Sequence, residues 1–285
     1  MITAIGLETD PTMRHFRESA AGKGVEIRFV DLQRQIAEPL EIPPAGPSAA
    51  VLDFHPTESF YCRLIDLAPV NPAQSVAWRS LLCGMMGWLE LFPGRVVNRP
   101  GHAVDNACKP LHEALLARMG FSIPPSVSSS RRDILLDFLA GSPAVAKPLS
   151  GQRADCRIVS GEDFEDYDDR SSPVHLQRLV RGDDVRAHVI GGTVVALRIH
   201  SDQADYRTDG DAASEPCILP EGLCEALCRA TRGMGLEFAG WDLRIDQETY
   251  WVFEANPMPG YHYYDRKLKG RITEELVHYL KRKGN

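Results

Sequence analysis

Apolar and polar positions follow two rhythms along this chain. In the first part, Ile2 to Leu7 and Val25 to Val30 are short apolar runs that predict strands, with a polar helix-like segment between them. Pro39 to Pro47 predicts a loop and Ala49 to Phe54 a short buried strand. From Ser75 to Phe92 the period lengthens. Trp78, Leu81, Leu82, Met85, Trp88 and Leu89 recur at helical spacing, which predicts a helix with Ser75 as N-cap and its aromatic stripe packed in the core. Val96 to Asn98 predicts a short strand before Arg99-Pro100-Gly101.

A second part starts near residue 101. Ala107 to Met119 predicts a helix stopped by Gly120, and Ile123 to Val127 an extended edge segment. Ser128 to Ser130 are placed to cap a helix from Asp133 to Leu139, and Ala144 to Leu149 predicts a strand. His175 to Val180 and Val185 to Ile190 predict strands, and Gly191-Gly192 a hairpin turn into Thr193 to Ile199. Glu221 to Gly233 predicts a helix. Trp241 to Ile245 and Tyr250 to Ala255 predict a hairpin around Asp246 to Thr249, followed by a terminal helix from Arg271 to Lys283. Helices interleaved with antiparallel hairpins point to an α+β class.

Composition narrows the function classes. The chain has 285 residues, 32 Lys plus Arg against 39 Asp plus Glu, and a net charge of −7. That acidic balance argues against a nucleic-acid binder. No stretch approaches the roughly 18 apolar residues of a membrane helix, and the N-terminus lacks the pattern of a signal peptide. Seven scattered cysteines without a CxxC pair argue against a disulfide framework or zinc ribbon, so a cytoplasmic location is expected. Cys224 and Cys228 read as small apolar residues on a helix. The acidic run Glu162 to Asp169 fits a solvated loop, with docking of a cationic partner as the alternative.

The candidate chemistry lies in Gly240-Trp-Asp242-Leu-Arg-Ile and Tyr250-Trp-Val-Phe-Glu254-Ala-Asn256-Pro. In a hairpin symmetric about Glu248, Asp242 faces Glu254 with Cβ atoms about 5 Å apart. Asn256, two residues on, shares that face. Such carboxylates repel unless a cation sits between them. Two carboxylates and an amide oxygen suit Mg²⁺, which completes its shell with waters and substrate phosphates; the alternative is an acidic hairpin in water. Lys147, at the end of an apolar strand, can meet a phosphate, and Ser150 and Gly151 can offer backbone N–H groups to it. Lys109, inside a predicted helix, is a weaker candidate. Asp184, Arg186 and His188 alternate onto one strand face. Arg186 and Arg207 each read as a surface ion pair or as a clamp on charge developing in phosphoryl transfer.

In order and spacing these segments resemble the ATP-grasp ligases, most closely the RimK-like branch. The resemblance covers about residues 96 to 265, from Val-Val-Asn98-Arg-Pro through Lys109, Lys147-Pro-Leu-Ser-Gly, Gln177-Arg-Leu-Val, Asp184-Val-Arg186, Tyr-Arg207 and Trp-Asp242 to Glu254-Ala-Asn256-Pro. It implies a small N-terminal α/β domain over residues 1–100, then an ATP-grasp domain over 101–285. Two α/β subdomains would grip ATP: a lid-like one over 101–180 and a metal-binding one over 181–285. It implies that Lys109 and Lys147 reach the nucleotide and that Gln177, Arg178, Leu179 and Val180 form the adenine hinge. It places Ser150, Gly151 and Asp184 with the nucleotide, gives Mg²⁺ or Mn²⁺ to Asp242, Glu254 and Asn256, and sets Arg186 and Arg207 at phosphate or acyl phosphate. Two departures stand out: Arg178 replaces the hinge glutamate, and Gln152-Arg153-Ala-Asp-Cys-Arg157 replaces further loop glycines.

The implied activity is ATP-dependent carboxylate–amine ligation through an acyl phosphate, forming an amide or ester. The expected substrate is a peptide or amino acid, with neither nucleic acid nor membrane as partner. Family members are often homo-oligomers. The aromatic cluster Tyr261 to Tyr264 is read either as stacking on substrate or as packing under the terminal helix. A non-catalytic nucleotide-binding regulator or scaffold, and a phosphotransferase on the same fold, are the competing readings.

Overall fold

The N-terminal strand Ile2–Gly6 is buried at every position, because both faces of its sheet are covered. The structure, a computed structural model, describes residues 1–37, 58–102, 106–149, 156–200 and 212–282. The first unit comprises β1 (Ile2–Gly6), α1 (Pro11–Gly22), β2 (Ile27–Asp31), α2 (Leu32–Gln35), β3 (Ser59–Cys62), α3 (Ser75–Leu91) and β4 (Arg95–Val97). Its four strands pair in parallel in the order β2-β1-β3-β4. Ile5, Phe60 and Val96 face the Trp78, Met85, Trp88 and Leu89 stripe of α3, with Phe60 edge-on to Trp88 at 5.4 Å. Ile2, Ala4, Tyr61 and Val97 face Met13 and Phe16 of α1. The aromatic stripe of α3 is therefore core. Ser75 is not its cap: a short 3-10 turn, Pro72–Gln74, leads in, and Ser75 is the first helical residue. Asp10 does cap α1, accepting from Thr12 N at 2.9 Å, with Pro11 opening the helix. The predicted Pro39 to Pro47 loop and Ala49 to Phe54 strand lie outside the described residues.

The next unit comprises α4 (Lys109–Arg118), β5 (Ser126–Ser129), α5 (Arg132–Leu139), β6 (Ala144–Lys147), β7 (Arg157–Val159) and β8 (Val174–Arg178). Its antiparallel sheet runs β5-β8-β6-β7. Ala144 and Leu176 bury one face against Leu135 and Leu139 of α5. Register puts Ser126, Ser128, His175, Gln177 and Lys147 together on the opposite face. Ser128 to Ser130 do not cap α5 as predicted: the N-cap is Arg131, and Ser128 and Ser129 belong to β5.

The last unit comprises β9 (Asp183–Ile190), β10 (Thr193–His200), β11 (Ala213–Cys217), α6 (Glu221–Gly233), β12 (Phe238–Asp246), β13 (Thr249–Asn256), α7 (His262–Lys267) and α8 (Arg271–Lys281). The antiparallel order is β11-β10-β9-β12-β13. Val185, Ala187, Trp241 and Leu243 pack against Leu227 and Ala230 of α6. The other face, through Ile190, Leu197, Ile199 and Phe238, shares one core with Ile272 and Leu276 of α8 and with Phe16 and Tyr61 of the first unit. Each such fully buried side chain contributes roughly 1.5–3 kcal/mol.

Polar staples fix this junction. Asn98, just past β4, donates to the carbonyls of Phe238 and Pro257 at 2.6 Å each and accepts from the N–H groups of Glu237 and Phe238 at 2.9 Å each. Arg99 caps the carbonyl end of α3, donating to Leu89, Glu90, Phe92 and Gly94. Arg63, past β3, pairs with Asp10 at 2.5 Å and donates to the carbonyls of Met258 and Pro259. The buried Asp265 accepts from His15 Nε2, Ile272 N and Thr273 Oγ. Burial pushes its carboxyl pKa up, but those hydrogen bonds outweigh burial and hold it below its ordinary value.

Two outcomes follow. Asn98→Leu strips four hydrogen bonds from the junction and is expected to cost roughly 2–4 kcal/mol in urea unfolding. Asp265 binds protons less well folded than unfolded, so its contribution is full above about pH 3.8 and is lost as pH falls through its lower folded-state value. Asp265→Asn should flatten that acid-side slope in melts run from pH 5 down to pH 2.

Candidate active site

The β12–β13 hairpin builds one wall. Its turn has two residues, Gln247 and Glu248, with Gln247 at φ 54° and Asp246 paired with Thr249. That turn alone would set Phe253 opposite Asp242. A bulge beside Leu243 shifts the ladder by one residue, so Asp242 faces Glu254 and Gly240 faces Asn256. The expected pairing holds, through a bulge rather than a longer turn. On the other side Asp242 pairs with Arg186 of β9, so Arg186, Asp242 and Glu254 form one row across three strands.

Arg186 Nη1 donates to Asp242 Oδ1 at 2.5 Å, and its guanidinium lies 5.4 Å from the Tyr264 ring centre. Gly240 gives it room. A Cβ there would stand 2.4 Å from Arg186 Nη2 and 2.7 Å from Pro259 Cβ. His188, next on the same face, is fully buried near the Phe238, Tyr261 and Tyr264 rings; its two ring nitrogens have no partner among the described residues. Burial first, and the Arg186 charge second, push its pKa well below 6.5, leaving a neutral imidazole. Asn256 Oδ1 accepts from Met258 N at 3.0 Å, turning the chain out of β13.

The opposite wall is the polar face of the β5–β8 sheet. Lys147 Nζ donates to Gln177 Oε1 at 2.7 Å and lies 5.0 Å from the Phe253 ring centre. Burial lowers its pKa, with the Lys109 charge adding to the effect and Cys156, Glu113 and Glu254 opposing it. Helix α4 spans the space between the walls. Asn106, just before it, donates to Glu254 Oε1 at 2.5 Å, and His112 Nε2 accepts from Ala255 N at 2.9 Å. Lys109 opens the helix, its N–H bonded to the Leu149 carbonyl. Asn106, Lys109, His112, Glu113, Lys147, Phe253 and Glu254 line a cavity of about 40 Å³.

The structure thus brings Lys109, Lys147 and Glu254 to one cavity, with Asp242 and Asn256 beside Glu254 on the same sheet face. Other expected residues make contacts of their own. Arg178 leaves the cleft, donating to Ser142 and stacking on Phe138 at 4.1 Å. Leu179 and Val180 follow β8, and the Val180 carbonyl accepts from Arg244. Asp184 is buried in a two-pronged pair with Arg244 at 3.0 and 2.6 Å. Ser150, Gly151, Arg153 and Arg207 lie outside the described residues. A larger cavity of about 1040 Å³ opens between Met1, Glu58, Arg95 and Tyr279. It sits at the N-terminal ends of the parallel strands, away from these groups and from the carboxyl ends where open α/β sheets bind ligands.

Comparison with known proteins agrees with this architecture. Residues 177–280 match the family model of the RimK-like ATP-grasp domain. The ATP-grasp fold extends over nearly the whole chain. The ATP-grasp ligase PsnB, solved with a minimal precursor, Mg and ADP, superposes with a TM-score of 0.79 at 24% identity over 98% of this chain and 97% of its own. Macrocyclase MdnC from Microcystis aeruginosa, solved with precursor peptide MdnA, gives 0.79 at 16% identity over 99% and 100%. Among curated relatives, a probable alpha-L-glutamate ligase of Maridesulfovibrio salexigens and a ribosomal protein bS6–L-glutamate ligase of Escherichia fergusonii are each 27% identical over 184 residues, 59% of this chain. This chain spans 61% of the length of each.

Around this cavity, sequence reading missed Asn106, His112, Glu113 and Arg244. Arg244 sits inside the motif strand and alternates with Asp242, a signal that was present. The other three come from α4 and the turn before it, where nothing local marks which side chains turn inward. Gly240→Ala should drive Arg186 off Asp242 and cost roughly 1–3 kcal/mol. Calorimetry and a crystal structure of the variant would check both parts.

Proposed function

We propose that this chain is an ATP-dependent carboxylate–amine ligase acting on a peptide or amino acid. The observation that carries the reading is the cavity in which Lys109, Lys147 and Glu254 converge, with Asp242 directly across the ladder from Glu254. In this reading Lys109 and Lys147 hold nucleotide phosphates, Ser150 and Gly151 add backbone N–H groups, and the Gln177 to Val180 segment receives adenine through its backbone. Asp184 acts on that segment through Arg244, which holds the Val180 carbonyl. Residues 1–100 form a preceding domain, 101–180 the lid and 181–285 the metal-binding subdomain.

Asp242, Glu254 and Asn256 would hold Mg²⁺, with Mn²⁺ as a substitute. The donor set fits. Among the described residues no three His, Cys, Asp or Glu side chains cluster as a metal cage. Two carboxylates and one amide suit an ion that takes the rest of its shell from water and phosphate. When bound, it neutralises charge on the transferring phosphoryl group.

The substrate carboxylate attacks the γ-phosphorus of ATP, the bond to the bridging oxygen breaks and ADP leaves. An amine then attacks the acyl carbon, phosphate leaves with the bonding pair and the amine loses a proton. Phosphorylation turns a carboxylate oxygen, a very poor leaving group, into a good one. Arg186 and Arg207 would offset charge on the phosphoryl and acyl-phosphate oxygens. The names of the glutamate-ligase relatives and the precursor-bound structures support a peptide or amino-acid acceptor. Action in the cytoplasm is supported by free cysteines, and no helix among the described residues is long and apolar enough to cross a membrane.

The test is ADP and phosphate release from purified protein with ATP, Mg²⁺ and a panel of amino acids and peptides. Ligation predicts both products and an amide detected by mass spectrometry. ATP binding without turnover across the panel would favour a regulator or scaffold, and a phosphorylated product without an amide a phosphotransferase. Asp242→Asn and Glu254→Gln should each lower Mg²⁺-dependent turnover by roughly two to three orders of magnitude with the thermal midpoint nearly unchanged. Near-normal turnover in either would remove the metal assignment. Lys147→Ala should chiefly raise the KM for ATP.

A further inference from the structure

Helix α4 carries a buried acid that the scheme above does not use. Glu113 is 7% exposed, and its two oxygens take three donors from the lid sheet. Oε1 is 2.6 Å from Gln177 Nε2 and 2.9 Å from His175 Nε2, while Oε2 is 2.5 Å from Ser126 Oγ. Burial raises the carboxyl pKa, but the His175 and Ser126 bonds and the Lys147 charge outweigh it and keep Glu113 ionised. An ionised carboxylate can only accept.

That restriction propagates. Gln177 is 1% exposed, and its amide could face either way. Because Glu113 demands an N–H, the Gln177 nitrogen turns to Glu113 and its oxygen turns to Lys147 Nζ, 2.7 Å away. Reversed, the amide would aim its own NH2 at the ammonium and lose that bond. We propose that Glu113 is a positioning residue for ATP: acting through the Gln177 amide, it holds the Lys147 ammonium in the cavity where the phosphates would lie. The neighbouring side chain supports a wider role for this turn of α4, since His112 holds the Ala255 N–H, between Glu254 and Asn256, on the facing wall. Consecutive residues of one helix thus engage both walls.

The proposal rests on the ligase reading for its nucleotide, so the test has one arm with ATP and one without. In the first, KM for ATP, kcat and thermal midpoint are measured for the full chain as wild type, Glu113→Gln, Gln177→Leu and the double variant. An amide at position 113 can present oxygen or NH2 at nearly the same shape, so the fold is kept while the orientation of Gln177 is released. Glu113→Gln is expected to raise the KM for ATP by about tenfold, the scale of one hydrogen bond to a charged group, and to move kcat less. The double variant should be no worse than Gln177→Leu alone. Additive effects, or a fall in kcat and midpoint with KM unmoved, would overturn the proposal. In the second arm, Lys147 is labelled with an amine reagent at fixed pH and read by peptide mass spectrometry against exposed Lys267 in the same sample. Glu113→Gln should label Lys147 several-fold faster than wild type, and an unchanged rate overturns the proposal. Without wild-type ATP turnover the ligase reading falls, and the labelling arm still decides whether Glu113 holds Lys147.

Discussion

Two carboxylates face each other across neighbouring strands, and the surrounding structure answers that repulsion. The ladder holds the backbones of Asp242 and Glu254 directly opposite each other. Arg186 meets Asp242 from the third strand, Asn106 donates to Glu254 from the turn before α4, and Lys147 and Lys109 border the cavity. Cations and donors beside carboxylates this close offset their repulsion. The same demand explains Gly240, because the guanidinium that neutralises Asp242 occupies the space a side chain would take.

The placement of these charges depends on joints far from them. Asn98 spends all four hydrogen-bonding capacities of its amide on the start of β12 and the exit of β13. Arg63 reaches from the first unit to the carbonyls of Met258 and Pro259. The strands bearing Asp242 and Asn256 are thus clamped at the end nearest the parallel sheet, while His112 clamps β13 from the other side. A site built across two strands is held in shape by such joints.

Much of the fold was legible because long periodic segments carry strong signals. The α3 stripe, the α6 and α8 helices and the β9–β10 and β12–β13 hairpins read directly from their spacing. Short edge strands did not. The polar β11, Ala213–Cys217, contains Pro216, and the three-residue β7, Arg157–Val159, is half exposed. Neither has an apolar run long enough to mark it. Ser75 and Ser128 to Ser130 looked like caps because their residue type favours caps, yet Ser75 is already the first residue of α3, and Ser128 and Ser129 belong to a strand.

For the site, sequence alone determined the donors: which residues carry carboxylates, amides and ammonium groups, and that Asp242 and Glu254 belong to one hairpin. Those facts rest on residue type and period, which are local. Tertiary structure decided the rest. A bulge, not the turn, put Glu254 opposite Asp242, since a single extra residue reverses the face of every side chain beyond it. Folding turned Arg178 outward, locked Asp184 to Arg244 and brought Asn106 inward from the turn before α4, and His112 and Glu113 from α4 itself, a helix with only a weak apolar face. Such choices depend on partners distant in the chain, and no local pattern encodes which of them a buried polar group will meet.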